Sequence, residues 1–281
     1  MIAPDTANDL RALLAFYAEA GVDEALEDEP ANRFAEASSR TPPRAAAPMP
    51  AQRPEREVAQ RQAPSATTIR PPATATVPDE AQAALARQLA AGASTLEELR
   101  AAMAGFDGCN LKSTAKNLVF ADGNPQASLM LVGEAPGRDE DLEGLPFVGR
   151  SGRLLDRMLA AIGYDRNSVY IANVIPWRPP GNRAPTPHET EICRPFIERQ
   201  IELVNPKVLV NLGGPSAKTL LDTSEGILRL RGNWRVHTTR SGVAIPAMPT
   251  LHPAYLLRTP AHKRLAWRDF VDVKVKLREL G

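Results

Sequence analysis

Four short apolar runs, at residues 128–132, 169–174, 208–212 and 245–249, alternate with stretches whose apolar residues recur at helical spacing. Runs this short and this uniformly apolar read as strands buried on both faces rather than as half-exposed strands. Strands that alternate with amphipathic helices predict an α/β fold, a parallel sheet covered on both sides. Helices are expected at 81–91, 95–104, 151–163 and 188–204, from Pro215 onward, and at 260–279. A hairpin is expected across 227–239, and strand or turn signals lie at 118–120.

The first run leads into the stretch around which the chain is organised. It stops at Gly133-Glu134-Ala135-Pro136-Gly137, a turn whose glycines tolerate backbone shapes closed to other residues. Asp139, Glu140 and Asp141 follow, then an apolar hook, Pro146-Phe147-Val148-Gly149, and a helix with Leu154, Leu155, Met158, Leu159 and Ile162 on one stripe. The other runs end in equally pointed residues: Asn173 at the second, Gly213-Gly214 after the third, His252 after the fourth. Five prolines between Pro176 and Pro187 make the loop after the second run extended. Ligands of open α/β sheets sit outside the carboxyl ends of the strands. A carboxylate, an amide, an imidazole and the Phe147 ring are therefore expected on one rim.

Composition separates this body from what precedes it. Ten of the 26 prolines fall between Pro30 and Pro78, with hardly a large apolar residue among them, so that segment is expected to be a disordered linker. Residues 1–40 carry nine acidic and three basic side chains, a net charge of −6, which leaves +7 for the remainder of a chain whose total is +1. The division expected is an acidic helical segment at 1–29, a linker at 30–78 and a folded domain at 79–281. Leu10, Leu13, Leu14 and Tyr17 share one face of the first segment, which reads either as an arm packed on the body or as a docking helix for a protein partner. A mildly basic body suits a polyanionic partner. The two cysteines do not make a disulfide framework, and neither a secretory signal nor a membrane span is present, so a cytoplasmic protein with no membrane partner, and a monomer, is expected.

The rim suits some chemistries poorly. Neither a Walker loop nor a G-x-G-x-x-G turn cradles phosphate, no H-x-x-x-H or paired-cysteine spacing recruits metal, and the Gly133-Glu134-Ala135 turn offers no hydroxyl nucleophile. What it suits is a flat polar ring, with an aromatic to stack on it, an amide to read its edge and a histidine to meet developing negative charge. A pyrimidine has these properties. Taken singly, Phe147 also reads as a core residue and His252 as a structural histidine; their joint placement at successive strand ends sets them apart.

The turn GEAPG, the following ED-x-x-G-x-PFVG-x-SG, the loop N-V-I-x-x-RPPGNR-x-P and the ending HPAYLLR together resemble type-4 uracil-DNA glycosylases. The resemblance covers about residues 106–275. It implies a three-layer α/β/α sandwich with a central four-stranded parallel sheet, and a DNA-repair hydrolase of base excision repair that cleaves the N-glycosidic bond of uracil in DNA. By position, Gly133, Glu134 and Ala135 resemble the first uracil-binding motif, and Glu140 the acidic residue that shapes the pocket. Phe147 resembles the stacking ring, Asn173 the amide that reads the base edge, and His252 the histidine that stabilises departing uracil. Ala135 stands where other glycosylase families place a water-activating aspartate; Asp139, Glu140 and Asp141 are the nearby carboxylates. Tyr255, Leu256 and Leu257 are candidates for a wedge into the DNA stack. Arg178, Arg183, Arg258, Lys263, Arg264 and Arg268 are candidates for phosphate contacts.

The family pattern also implies a 4Fe–4S cluster on four cysteines. Here Cys109 and Cys193 are the remnants of that set, while Phe106 and Trp177 hold the other two positions. Two thiolates cannot replace four. No cofactor is expected, and an apolar plug in its place is. The competing function is a DNA-binding accessory protein that keeps the glycosylase fold and turns over weakly or not at all.

Overall fold

Side chains alternate along each apolar run, and because the runs lie in the middle of a sheet both resulting faces must be covered. The computed structural model describes residues 79–281; the acidic segment 1–29 and the linker 30–78 lie outside the described residues. The described chain runs α1 (Asp79–Gly92), α2 (Leu96–Gly105), α3 (Asn110–Thr114), β1 (Asp122–Gly123), β2 (Leu129–Gly133), α4 (Arg138–Glu143), α5 (Arg150–Ile162) and β3 (Tyr170–Asn173). It continues through α6 (Pro187–Val204), β4 (Val208–Leu212), α7 (Gly214–Leu221), α8 (Ile227–Leu230), β5 (Arg235–Thr238), β6 (Ala244–Thr250), α9 (Pro253–Arg258) and α10 (Lys263–Glu279).

The six strands form one sheet in the order β1-β3-β2-β4-β6-β5. The inner four, β3, β2, β4 and β6, are mutually parallel, with Met130 opposite Tyr170 and Leu209, and Val210 opposite Met248. They are the four strands expected, and short antiparallel strands guard both edges. Met130, Val132, Tyr170, Ala172 and Leu209 face a core shared with Leu99, Phe196 and Ile201, supplied by α2 and α6. Leu129, Leu131, Ile171, Val208 and Val210 face the other way, onto Leu155, Leu159, Phe270 and Val273 of α5 and α10. The result is three layers with an apolar interface on each side of the sheet. β2 is flanked by the strand that follows it and by the next parallel one, so the winding reverses at β2/β4, the kind of crevice where ligands bind.

Two expectations fail in detail. The hairpin across 227–239 does not form: Ile227–Leu230 is a helical turn, and β5 instead pairs antiparallel with β6, Thr238 opposite Ala244. The second half of that stretch does form a strand, but it pairs with the edge of β6 left free after β4 paired with the other. Residues 118–120 are not a strand either, and their backbone is tied by Val119 N–H to the Pro176 carbonyl at 2.9 Å.

Candidate functional site

The site starts where β2 and β3 end side by side. Their pairing carries on past the strands, through hydrogen bonds from Val174 N to Gly133 O (3.0 Å) and from Ile175 N to Glu134 O (2.9 Å). This sets Asn173 directly beside Gly133. A β-carbon at Gly133 would collide with Asn173 Oδ1 and with the Phe147 ring, so glycine here lets amide and ring close over the strand end. Asn173 is buried, yet its Oδ1 finds no hydrogen-bond partner. An unpaired buried acceptor costs about 1–3 kcal/mol, so it marks a place kept for a donor.

Phe147 is brought there by the hook between α4 and α5. Glu140 is buried, and its carboxylate accepts from Gly137 N, Val148 N and Gly149 N, each at 3.1 Å, which folds the 137–149 segment back on itself. Asp141 does similar work, accepting from Lys116 N (2.8 Å) and Asn117 N (3.2 Å). Both carboxylates are thus held by backbone amides. Phe147 has φ +56°, a left-handed conformation that costs a bulky residue about 1–3 kcal/mol. Its carbonyl lies so close to α5 that a β-carbon at Gly152 would overlap it. The buried ring stacks on His252, centroids 5.4 Å apart and planes 29° from parallel.

His252 reaches the rim from the end of β6. Gly213, at φ +97°, donates its N–H to Thr250 O at 2.9 Å, and a β-carbon there would stand 3.1 Å from His252 Cβ. His252 caps α9, its Nδ1 accepting from Ala254 N at 3.0 Å. That bond requires a lone pair on Nδ1, so the neutral ring carries its proton on Nε2. Burial, reinforced by the charge of Arg258, pulls the imidazole down to about 4. At neutral pH the ring is an uncharged donor.

These groups line one cavity of about 620 Å³, together with Glu134, Ala135, Ser151, Ile227 and Leu251. Burial pushes the Glu134 carboxyl above its ordinary range. The walls Ile227 and Leu251 were not singled out in the sequence, where nothing local distinguishes them from other apolar residues.

The proposed DNA-contact residues divide. Tyr255 and Arg258 line the cavity mouth, the tyrosine hydroxyl 2.8 Å from His262 Nδ1. Arg183 also borders the cavity, but its guanidinium makes a two-pronged bond to Glu189 at 2.6 and 2.9 Å, which holds that buried carboxyl down at about 2. Arg178 is bonded to Asn182 Oδ1 at 2.6 Å and stands 3.9 Å from Asp141. Exposed Lys263 and Arg264 border a separate, apolar groove next to Trp267. Leu256 corrects the expectation of a wedge: it is buried against Leu251 and Ala266, because the helical turn of α9 points it inward, and Leu257 is the leucine on the surface.

At the cysteine corner, Cys109 and Cys193 are buried with their sulfurs 3.8 Å apart. Contact with Cys109, together with burial, keeps the Cys193 thiol protonated by pushing its pKa up. Phe106 and Trp177 are among the largest fully buried side chains, their centroids 6.5 Å apart, and Phe196 meets Phe106 edge-on at 5.3 Å. Among the described residues no group of three or more His, Cys, Asp or Glu side chains is placed to hold a metal. A cluster needing four thiolates does not fit a corner that offers two thiols and two indole- and phenyl-filled positions. Nor is any described helix long and apolar enough to cross a membrane.

Comparison with known proteins gives the family. The family model of the uracil DNA glycosylase superfamily matches residues 120–271. The type-4 uracil-DNA glycosylase of Archaeoglobus fulgidus is 42% identical over 169 residues, 59% of this chain and 84% of that protein. Those of Sulfurisphaera tokodaii and Thermotoga maritima are each 38% identical, over 66% and 62% of this chain and 85% and 90% of theirs.

Proposed function

The chain belongs to the uracil-DNA glycosylase superfamily, in its type-4 branch, and on that premise we propose that it hydrolyses the N-glycosidic bond of uracil flipped from DNA, without cutting the strand. The observation that carries the reading is the unpartnered Asn173 Oδ1 in a cavity shared with Phe147 and His252. An acceptor there receives the N3–H of uracil and opposes the N3 lone pair of cytosine. Flipping costs a few kcal/mol, least where the base is mispaired.

The chemistry follows from the remaining groups. As the C1′–N1 bond breaks, its electron pair moves into the uracil ring and the sugar becomes oxocarbenium-like. His252 Nε2–H is the donor that meets the charge on the departing base; such a donor is worth about 3 kcal/mol. The Phe147 and His252 rings are too close to admit a base between them, so the imidazole addresses the base at its edge while the phenyl ring supports its face. Water then adds to C1′ and releases a proton to solvent, and the uracil anion takes one up, so that an abasic sugar and neutral uracil result. Glu140 and Asp141 are occupied by backbone amides, so their part is to shape the pocket. No lysine lines the cavity among the described residues, which leaves no amine to form a Schiff base and favours a monofunctional enzyme. We propose further that the protein works without an iron–sulfur cluster, the Phe106–Trp177 plug and paired thiols filling its place.

The test is excision from a uracil-containing oligonucleotide, followed by alkali. Strand scission only after alkali is expected. Scission without alkali contradicts monofunctional chemistry. Binding with no abasic product supports the second reading, an accessory protein that binds DNA, which the occupied carboxylates favour.

A further inference from the structure

We propose that Arg166 is a positioning residue for this reaction: its guanidinium latches the backbone of the Pro146-Phe147 hook and so fixes the Phe147 ring in the pocket. Arg166 lies in the loop between α5 and β3 and does not line the cavity. Its Nη1 donates to the Pro146 carbonyl at 3.0 Å and its Nη2 to the Phe147 carbonyl. The fork is itself aimed by two carboxylates, Asp122 of β1 at 2.7 Å from Nη1 and Asp156 of α5 at 2.8 Å from Nε. Four acceptors around one planar group is a task for arginine, whose donors are set in a fixed fork, and not for the single ammonium of lysine.

What the latch holds is a residue that resists being held. Phe147 is the bulky one of two cavity-lining side chains with a left-handed backbone, at φ +56°; the other is Asn182, a residue type that tolerates this region. Bulky residues leave that region when nothing constrains them. Gly152 removes the steric obstacle to the Phe147 carbonyl reaching α5, and Arg166 supplies the attraction from the same side. With the latch gone, the backbone relaxes and the ring leaves its place over Gly133 and against His252. The base then loses its platform although every group that touches it is still present. Arg166 therefore acts through Phe147, and the loss is one of preorganisation.

The inference rests on the uracil reading, and its test separates the two. Steady-state excision is measured for the wild type, Arg166→Gln, Phe147→Ala and the double variant. Arg166→Gln is expected to lower kcat by about 10-fold to 100-fold. In the Phe147→Ala background the same change is expected to cost less than about twofold, since nothing is left to position. Equal losses in both backgrounds, or no loss in either, overturn the proposal. Arg166→Lys is expected to recover only part of the rate. Independently of activity, the Phe147 ring signals in a carbon-labelled protein, assigned through Phe147→Leu, are expected to move toward free-phenylalanine positions in Arg166→Gln. Unmoved signals in a folded variant overturn the latch, whether or not the wild type excises uracil; a wild type that leaves uracil in place defeats only the functional reading.

Discussion

The rim and the cysteine corner answer opposite demands in the same domain. At the rim, folding leaves things undone: Asn173 Oδ1 is buried without a partner, Phe147 is in a left-handed conformation, and His252 is kept from taking a second proton. At the corner everything is closed: Phe106 and Trp177 lie stacked, Phe196 meets Phe106 edge-on, and two thiols touch each other at 3.8 Å. A site that binds must hold back part of its hydrogen bonding for the ligand, whereas a site that only supports the fold gains by filling itself. Large apolar side chains fill the corner, while the rim keeps an amide, an imidazole and a carboxylate facing a cavity. A corner closed by packing needs no ligand to complete it, whereas an acceptor left open at the rim is satisfied only when something binds.

The difference should be largest when the packing is emptied. Trp177→Ala is expected to cost about 3–5 kcal/mol of stability, read from urea unfolding, while the fraction that remains folded excises uracil at close to the wild-type rate. His252→Ala should do the reverse, lowering excision by about 100-fold or more, roughly 3 kcal/mol, with the unfolding midpoint nearly unchanged. If Trp177→Ala silences a folded enzyme, or His252→Ala unfolds the protein, the division between the two regions is wrong.

Acid offers a second way to separate them. Above pH 6.5, the ordinary histidine value, His252 is neutral in both folded and unfolded chains and contributes no pH dependence. Between that value and about 4 the unfolded chain takes up a proton that the folded one refuses, so stability is lost as pH falls across this window. Its share is bounded by about 3 kcal/mol. Unfolding at pH 7 and pH 4.5 should show a steeper decline for the wild type than for His252→Ala, and parallel declines would mean the imidazole is not held neutral.

The smaller effects belong to the corner and to the part of the chain before it. Cys109→Ala with Cys193→Ala is expected to change stability by about 1–2 kcal/mol and leave excision intact, because each loses only a sulfur packed as a small apolar group. Purified protein should carry iron well below one atom per chain; stoichiometric iron with brown colour would show that two thiolates recruit a cluster after all. Smallest of all should be the effect of starting the chain at Asp79, since every group placed at the rim lies between Gly133 and Arg258. A loss above about tenfold, about 1.4 kcal/mol, would place part of the machinery before Asp79.

Much of this arrangement was legible in the chain itself. Uniformly apolar runs mark strands that must be covered on both sides, and in a parallel sheet every such strand ends on the same rim, so Glu134, Asn173, Gly213 and His252 could be brought together from their order alone. What the chain could not display was how each side chain would be used. Glu140 becomes a staple, Arg183 is committed to Glu189, Leu256 turns into the core and leaves Leu257 outside, and Arg166 reaches back to a hook nineteen residues earlier. Local pattern encodes which face of an element is apolar and where it stops, because those follow from backbone period and turn chemistry. Which donor meets which acceptor depends on distances set by packing of whole elements, and those distances exist only in the folded structure.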